Sequence, residues 1–240
     1  MARRGSPIPR SERLFVDKPP DEYPKPDVNP YLKQHFSYGR PVLTADQAAA
    51  CRGAWSDEFG REAPLHVEIG PGNGFFFSGM ASRFPERNWL GVEIRFKRVM
   101  LTAKKLRTAG AEEFARVCRY DASAISDLFV PGEIAALYIN HPDPWPKDRQ
   151  AKNRLLGPRF LEVCASVLEA GAEIRLKTDH VVNVEALSSA VSTHPQFELV
   201  GTCDDVSGLG APWGEDLRTN YQRKFDEKGE PVLAVWVRRV

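Results

Sequence analysis

The stretch Leu65-His-Val-Glu-Ile-Gly-Pro-Gly-Asn-Gly-Phe-Phe-Phe-Ser-Gly-Met-Ala-Ser-Arg-Phe84 decides the fold. Its first five residues form a short β-rich run, glycines follow at 70, 72 and 74, and the remainder has the texture of a helix. A strand that turns through glycines into a helix opens a βαβ unit. Strand patterns recur at residues 89–93, 115–120, 134–139, 173–178, 197–203 and 232–237, with helical patterns at 95–108, 123–129, 158–170 and 181–192 between them. Such alternation predicts an α/β fold, a doubly wound, mostly parallel seven-stranded sheet with helices on both faces. The chain end reads strand, loop, short helical piece (219–228), strand, which predicts an antiparallel last strand. Upstream, Thr44-Ala-Asp-Gln47 has capping-box form and opens another helix.

Proline marks a boundary. Of 19 prolines, eight fall in the first 41 residues, beside Arg3, Arg4, Arg10 and Arg13 and with little apolar periodicity. Residues 1–40 read as an extended, proline-rich, basic arm, and 41–240 as one domain. Tyr23, Tyr31 and Tyr38 among the prolines leave room for a nucleic-acid contact.

The 33 Lys and Arg against 32 Asp and Glu leave a net charge of +1, so affinity for a polyanion has to come from clustering. Two clusters exist. Residues 95–107 carry Arg95, Lys97, Arg98, Lys104, Lys105 and Arg107 with no acid. Residues 147–159 carry Lys147, Arg149, Lys152, Arg154 and Arg159 against Asp148 alone. A surface polarised in this way is the footprint of a phosphate backbone. The longest apolar run, 134–139, has six residues where a spanning helix needs about twenty, so no membrane association is expected. Cys51, Cys118, Cys164 and Cys203 lie far apart with no CxxC pair, which disfavours a disulfide scaffold or zinc finger and fits a reducing, cytoplasmic setting.

In a doubly wound sheet, ligands sit at the carboxyl ends of the strands. The first such end is Glu68 with Gly70, Gly72 and Gly74. A dinucleotide fingerprint requires GxGxxG with a small third residue, but that place holds Phe75, and Glu68 would repel a pyrophosphate. The acid suits a cofactor carrying a cationic amine and a sulfonium. Glu93, ending the next strand 25 residues on, can accept from ribose hydroxyls, and Asp121, ending the third, from an adenine amine. Alone, each acid has an ordinary explanation in helix capping or the helix dipole. Together, beside GxGxG, they read as a site for S-adenosyl-L-methionine. After the fourth strand comes Asn140-His-Pro-Asp-Pro-Trp-Pro-Lys147, where three prolines exclude helix and ladder and hold Asp143 in a narrow range of orientations. His141, without a ligand partner at useful spacing, reads as structural.

The segments EIGPGNG (68–74), GVE (91–93), PDPWPK (142–147), Lys177-Thr-Asp179 and Thr219-Asn-Tyr-Gln222 occur in the order seen in bacterial tRNA (guanine-N7-)-methyltransferases, which the chain resembles over residues 65–238. The resemblance implies a Rossmann-like class I methyltransferase that uses S-adenosyl-L-methionine to methylate N7 of guanosine 46 in the tRNA variable loop. It implies that Glu68, Glu93, Asp121 and Asp143 line the cofactor cleft, with Asp143 catalytic. It further implies that Lys147, Asp179, Thr219, Asn220, Tyr221 and Gln222 contact tRNA. No metal is expected, and the protein is expected to be a monomer or homodimer. Three features depart from the family: Gln222 replaces a usual Glu, the basic run after PDPWPK is thinner, and Phe75 stands where an acid is frequent. Two other classes compete. A nicotinamide-dependent oxidoreductase is disfavoured by Phe75 and Glu68. A non-catalytic RNA-binding protein with the same fold would bind tRNA and turn nothing over.

Overall fold

The β-rich runs pair into one sheet in this computed structural model, which describes residues 7–24, 28–145, 149 and 154–240. The strands are β1 (Val42–Leu43), β2 (Leu65–Ile69), β3 (Asn88–Glu93), β4 (Ala115–Arg119), β5 (Ile134–Asn140), β6 (Leu168–Thr178), β7 (Phe197–Cys203) and β8 (Leu233–Arg239). Their order is β1-β4-β3-β2-β5-β6-β8-β7, and β8 alone runs antiparallel to its neighbours. The sheet has eight strands and not the expected seven. The addition is β1, whose two residues pair with Val117 and Cys118 at the β4 edge and are too few to show a period in sequence.

The helices are α1 (Pro30–Ser37), α2 (Ala45–Ala50), α3 (Trp55–Phe59), α4 (Phe75–Arg83), α5 (Phe96–Thr108), α6 (Pro158–Val167), α7 (Val181–Thr193), α8 (Val206–Leu209) and α9 (Asn220–Asp226). The Thr44 hydroxyl accepts from the Gln47 amide and the Gln47 side chain accepts from the Thr44 amide, the reciprocal cap its sequence announces. Helix α6 stops three residues before Ala170, because Leu168 already pairs with Ile134 and begins β6. The segment after Asp121 forms a 3₁₀ turn (Ala122–Asp127) in place of an α-helix. No described helix is long and apolar enough to cross a membrane.

Alternation along the strands divides the core. Val67, Ile69, Leu90, Leu137 and Ile139 pack with residues of α2, α3, α6 and α7, while Trp89, Ala136 and Tyr138 meet Phe76, Phe77 and Met80 of α4 and Leu106 of α5. Burying both faces makes the central strands nearly continuous apolar runs. Polar side chains inside them are therefore informative.

The described part of the stretch before residue 41 is tied to the domain at several points. It carries 3₁₀ turns at Arg10–Glu12 and Pro20–Glu22 as well as α1, so it is less extended than its prolines imply. Asp127 accepts from the backbone amides of Leu14 (2.8 Å) and Phe15 (3.1 Å) and from the Tyr120 hydroxyl (2.9 Å). Arg119, at the end of β4, pairs with buried Asp17 and lies 4.2 Å from the centre of the Phe96 ring. Helix α1 packs on α5, where Lys97 approaches the Tyr31 ring and Arg107 the Tyr38 ring. Part of the basic face of α5 is thus engaged within the chain.

Candidate active site

The chain leaves β2 toward β3 and β4 on one side, then returns to β5 and β6 on the other. The crevice between the carboxyl ends of β2 and β5 is the topological switch point, where side chains from two loops can converge. Glu68 and Asn140 meet there: the Asn140 amide donates to Glu68 Oε1 at 2.8 Å. Glu68 is 1% exposed, and its Oε2 has no hydrogen-bond partner among the described residues. Burial pushes its carboxyl up to about 8, against the lowering effects of Asn140 and Lys177. An orphaned, fully buried carboxylate oxygen is costly unless a donor arrives. The donor that suits it is an ammonium group.

The glycines divide by role. All three have positive φ, but a Cβ on Gly74 would lie 2.7 Å from Thr102 Cα, whereas Gly70 would meet nothing within 4 Å. Gly74 lets α4 start against α5; Gly70 and Gly72 keep the loop open for a ligand. Glu93 is buried and accepts from the backbone amides of Arg95, Gly72 and Ile94, yet burial raises its carboxyl above the ordinary value. It ties the end of β3 to the glycine loop. Asp121 caps the following turn, with Oδ1 accepting from the Ser123 amide at 2.8 Å and hydroxyl at 2.7 Å. Its second oxygen is the one available to a ligand.

The Pro-rich loop continues from β5. Asp143 is exposed and Trp145 is half-buried, so this loop does not serve to drive the indole into the core. The Pro142 carbonyl accepts from Asn183 (2.9 Å) and the Trp145 carbonyl from Arg154 (3.0 Å). Lys147 and Lys152 lie outside the described residues, and Arg149 and Arg159 are exposed.

Asp179, just past β6, receives His141 Nδ1 at 3.1 Å on Oδ1 and His180 Nε2 at 3.1 Å on Oδ2. Burial raises its carboxyl, but the His141 hydrogen bond, its own amide and the two imidazoles outweigh that and hold it below the usual range. In the Thr219–Gln222 stretch, Thr219 is buried and caps α9 by accepting from the Gln222 amide at 2.9 Å. Gln222 is also buried and donates to Ser207, while Tyr221 is exposed and Asn220 half-buried. Asn220 and Tyr221 are therefore the members of this stretch that present side chains outward.

Three residues escaped the sequence reading. Asn140 is the partner of Glu68. His141, read as structural, touches Asp179 and Thr219 together, 2.9 Å from the latter. Lys177 is 1% exposed and donates to both Asp216 oxygens (2.9 Å) and the Leu217 carbonyl (2.7 Å), anchoring the loop before α9. Burial lowers its ammonium, while Asp216 and Glu68 oppose that. Its signal was available: a lysine inside the apolar strand Ile-Arg-Leu-Lys-Thr. Among the described residues no group of three His, Cys, Asp or Glu could hold a metal ion.

Comparison with known proteins places this geometry. A family model described as "putative methyltransferase" matches residues 62–235. A tRNA (guanine-N(7)-)-methyltransferase of Streptococcus thermophilus is 32% identical over 205 residues, covering 85% of this chain and 92% of that protein. Among solved structures, the 16S rRNA methyltransferase KamB superposes with a TM-score of 0.54 at 15% identity, covering 77% of this chain and 92% of the other. Geranyl diphosphate C-methyltransferase from Streptomyces coelicolor, solved with S-adenosyl-L-homocysteine, has a TM-score of 0.51 at 14% identity, covering 77% and 73%.

Proposed function

Since the chain belongs to the tRNA (guanine-N(7)-)-methyltransferase family, we propose that it methylates N7 of a guanosine in tRNA, at position 46 of the variable loop, with S-adenosyl-L-methionine as donor. The observation that carries this reading is Glu68 at the switch point, whose Oε2 has no partner among the described residues while its Oε1 accepts from Asn140, at the end of β5 and three residues before Asp143. Glu68 would hold the donor's ammonium, Glu93 its ribose hydroxyls, and the free oxygen of Asp121 its adenine amine, with Gly70 and Gly72 allowing close approach. Bound there, the donor supplies a methyl group made electrophilic by a sulfonium.

Guanine N7 bears a lone pair and no proton, so the chain needs no general base. What it must provide is alignment and a dry site. Methylation leaves the base cationic. Asp143 would stabilise charge that develops only as the bond forms, which lowers the barrier rather than merely tightening binding. Its carboxylate can also accept from guanine N1–H and the exocyclic amine. Asp179, Asn220, Tyr221 and the basic run from Lys147 to Arg159 would contact the RNA, and Thr219 and Gln222 would shape that surface from below. The domain over residues 41–240 would hold the site, and the described part of the arm, through Leu14, Phe15, Asp17 and Tyr23, braces its β4 side. This chemistry belongs in the cytoplasm, where tRNA is modified.

The test is incubation with labelled S-adenosyl-L-methionine and unmodified tRNA, followed by nucleoside analysis. The expected product is 7-methylguanosine, lost when guanosine 46 is replaced. Tight tRNA binding with no labelled product would instead favour an RNA-binding protein.

A further inference from the structure

We propose that His141 is a positioning residue for methyl transfer: its imidazole fixes α9 and the end of β6 against the loop that carries Asp143. The inference rests on the methyltransferase reading above.

The side chain is 5% exposed, and both ring nitrogens are engaged. Nδ1 meets Asp179 at 3.1 Å and Nε2 meets Thr219 Oγ1 at 2.9 Å. The ring packs against Tyr221 and Phe225, with centroids 5.5 and 5.8 Å away. Its amide donates to the Lys177 carbonyl at 2.7 Å, and its φ of 50° is uncommon outside glycine. A single residue thus joins segments from the 140s, the 170s and the 220s.

Proton placement follows from its partners. Asp179 is ionised and can only accept, so Nδ1 carries a proton. In the neutral ring Nε2 then accepts from the Thr219 hydroxyl, whose oxygen also accepts from the Gln222 amide. Every donor in the chain from Asp179 to Gln222 is matched. Thr219 is 4% exposed and its oxygen caps α9, so this row of Asp, His and Thr is a tether and not a nucleophile. Tyr221, exposed on the first turn of α9, inherits its placement from it.

His141→Phe keeps the ring among Tyr221 and Phe225 and removes both polar links. It should slow single-turnover transfer at saturating tRNA about 10- to 100-fold, the cost of a misplacement of an ångström or less. Affinity for S-adenosylhomocysteine should change less than threefold, while the KM for tRNA should rise as Tyr221 and Asp179 lose their placement. Amide exchange in α9 should accelerate about tenfold while β2 and β5 stay protected. His141→Asn, which keeps a donor toward Asp179, gives a second variant with the same expected direction if the first does not fold. Transfer within twofold of wild type would overturn the inference. So would slow transfer with unchanged α9 exchange, because the loss would not run through the tether. A wild-type protein that makes no 7-methylguanosine overturns the functional reading as well, whereas an active wild type with an indifferent variant overturns this inference alone.

Discussion

Glu68→Gln tests the cofactor site most directly, because the wild-type carboxyl is pushed up to about 8 from an ordinary 4.5 by burial. At pH 7 it is therefore mostly protonated in the ligand-free protein. A ligand ammonium at Oε2 favours the carboxylate, so binding expels that proton. The ligand's own ammonium stays protonated at pH 7, so the net release approaches one proton. Calorimetry with S-adenosylhomocysteine in buffers of different ionisation enthalpy reads this number directly. Affinity should rise with pH between 6 and 7 and level off near 8, where Glu68 is ionised without the ligand. The Gln variant should release no proton and bind about 1.5–3 kcal/mol more weakly.

The same shift makes a stability statement of opposite sign. Between 4.5 and 8 the folded protein holds a proton on Glu68 that the unfolded chain has lost, so stability falls as pH rises through this window. At pH 7 the cost is about 3 kcal/mol, and Gln removes it. The ligand-free variant should melt roughly 6–12 °C higher at pH 7, with the gain vanishing near pH 4.5. Buffer-independent binding enthalpies in the wild type, together with equal melting temperatures across pH 5–8, would refute the reasoning by showing Glu68 already ionised.

Glu93→Ala should cost about 1.5–3 kcal/mol in cofactor affinity through lost ribose hydrogen bonds and leave tRNA affinity unchanged, as parallel calorimetry and filter binding would show. Asp143→Asn keeps shape and one acceptor oxygen but removes the charge, so single-turnover transfer should fall about 10²–10³-fold, far more than either affinity; a loss confined to affinity would make it a binding residue. Asp127→Ala strips the acceptor from Leu14, Phe15 and Tyr120. It should destabilise the protein by about 2–4 kcal/mol and expose Arg10 and Arg13 to trypsin, detected by limited proteolysis.

What could be read in the sequence was set by local patterns. The runs that become β2, β3, β4 and β5 are short, apolar and followed by loop residues, so the strand ends and the acids on them were legible. Pairing across the chain was not. Nothing in the spacing of Glu68 and Asn140 links two residues 72 positions apart, yet their hydrogen bond joins the two halves of the crevice. In the arm, proline density reports local conformation only, whereas Arg119 meets Asp17 and Tyr23, and Asp17 meets His35, through tertiary contacts that no local pattern carries. The basic face of α5 was read as a phosphate footprint, and the structure gives Lys97, Lys105 and Arg107 aromatic neighbours in Tyr31, Phe75 and Tyr38. Charge counts alone cannot distinguish those uses.

The loop after β5 shows how the fold turns a sequence oddity into a mount. Asn140 is tied to Glu68, His141 to Asp179 and Thr219, the Pro142 carbonyl to Asn183, and the Trp145 carbonyl to Arg154. Between these anchors, Pro142 and Pro144 fix φ on either side of Asp143. Among the residues from Asn140 to Trp145, Asp143 is the one whose side chain is exposed. An electrostatic stabiliser works in proportion to how little it must reorganise when charge appears. A carboxylate on a flexible loop would swing into water as readily as toward a cationic base. Held at four neighbouring points, this one has little freedom to do so, and the anchors themselves reach Glu68 through Asn140 and the cap of α9 through His141. The loop therefore joins the switch-point crevice and α9 by the same few residues that hold Asp143.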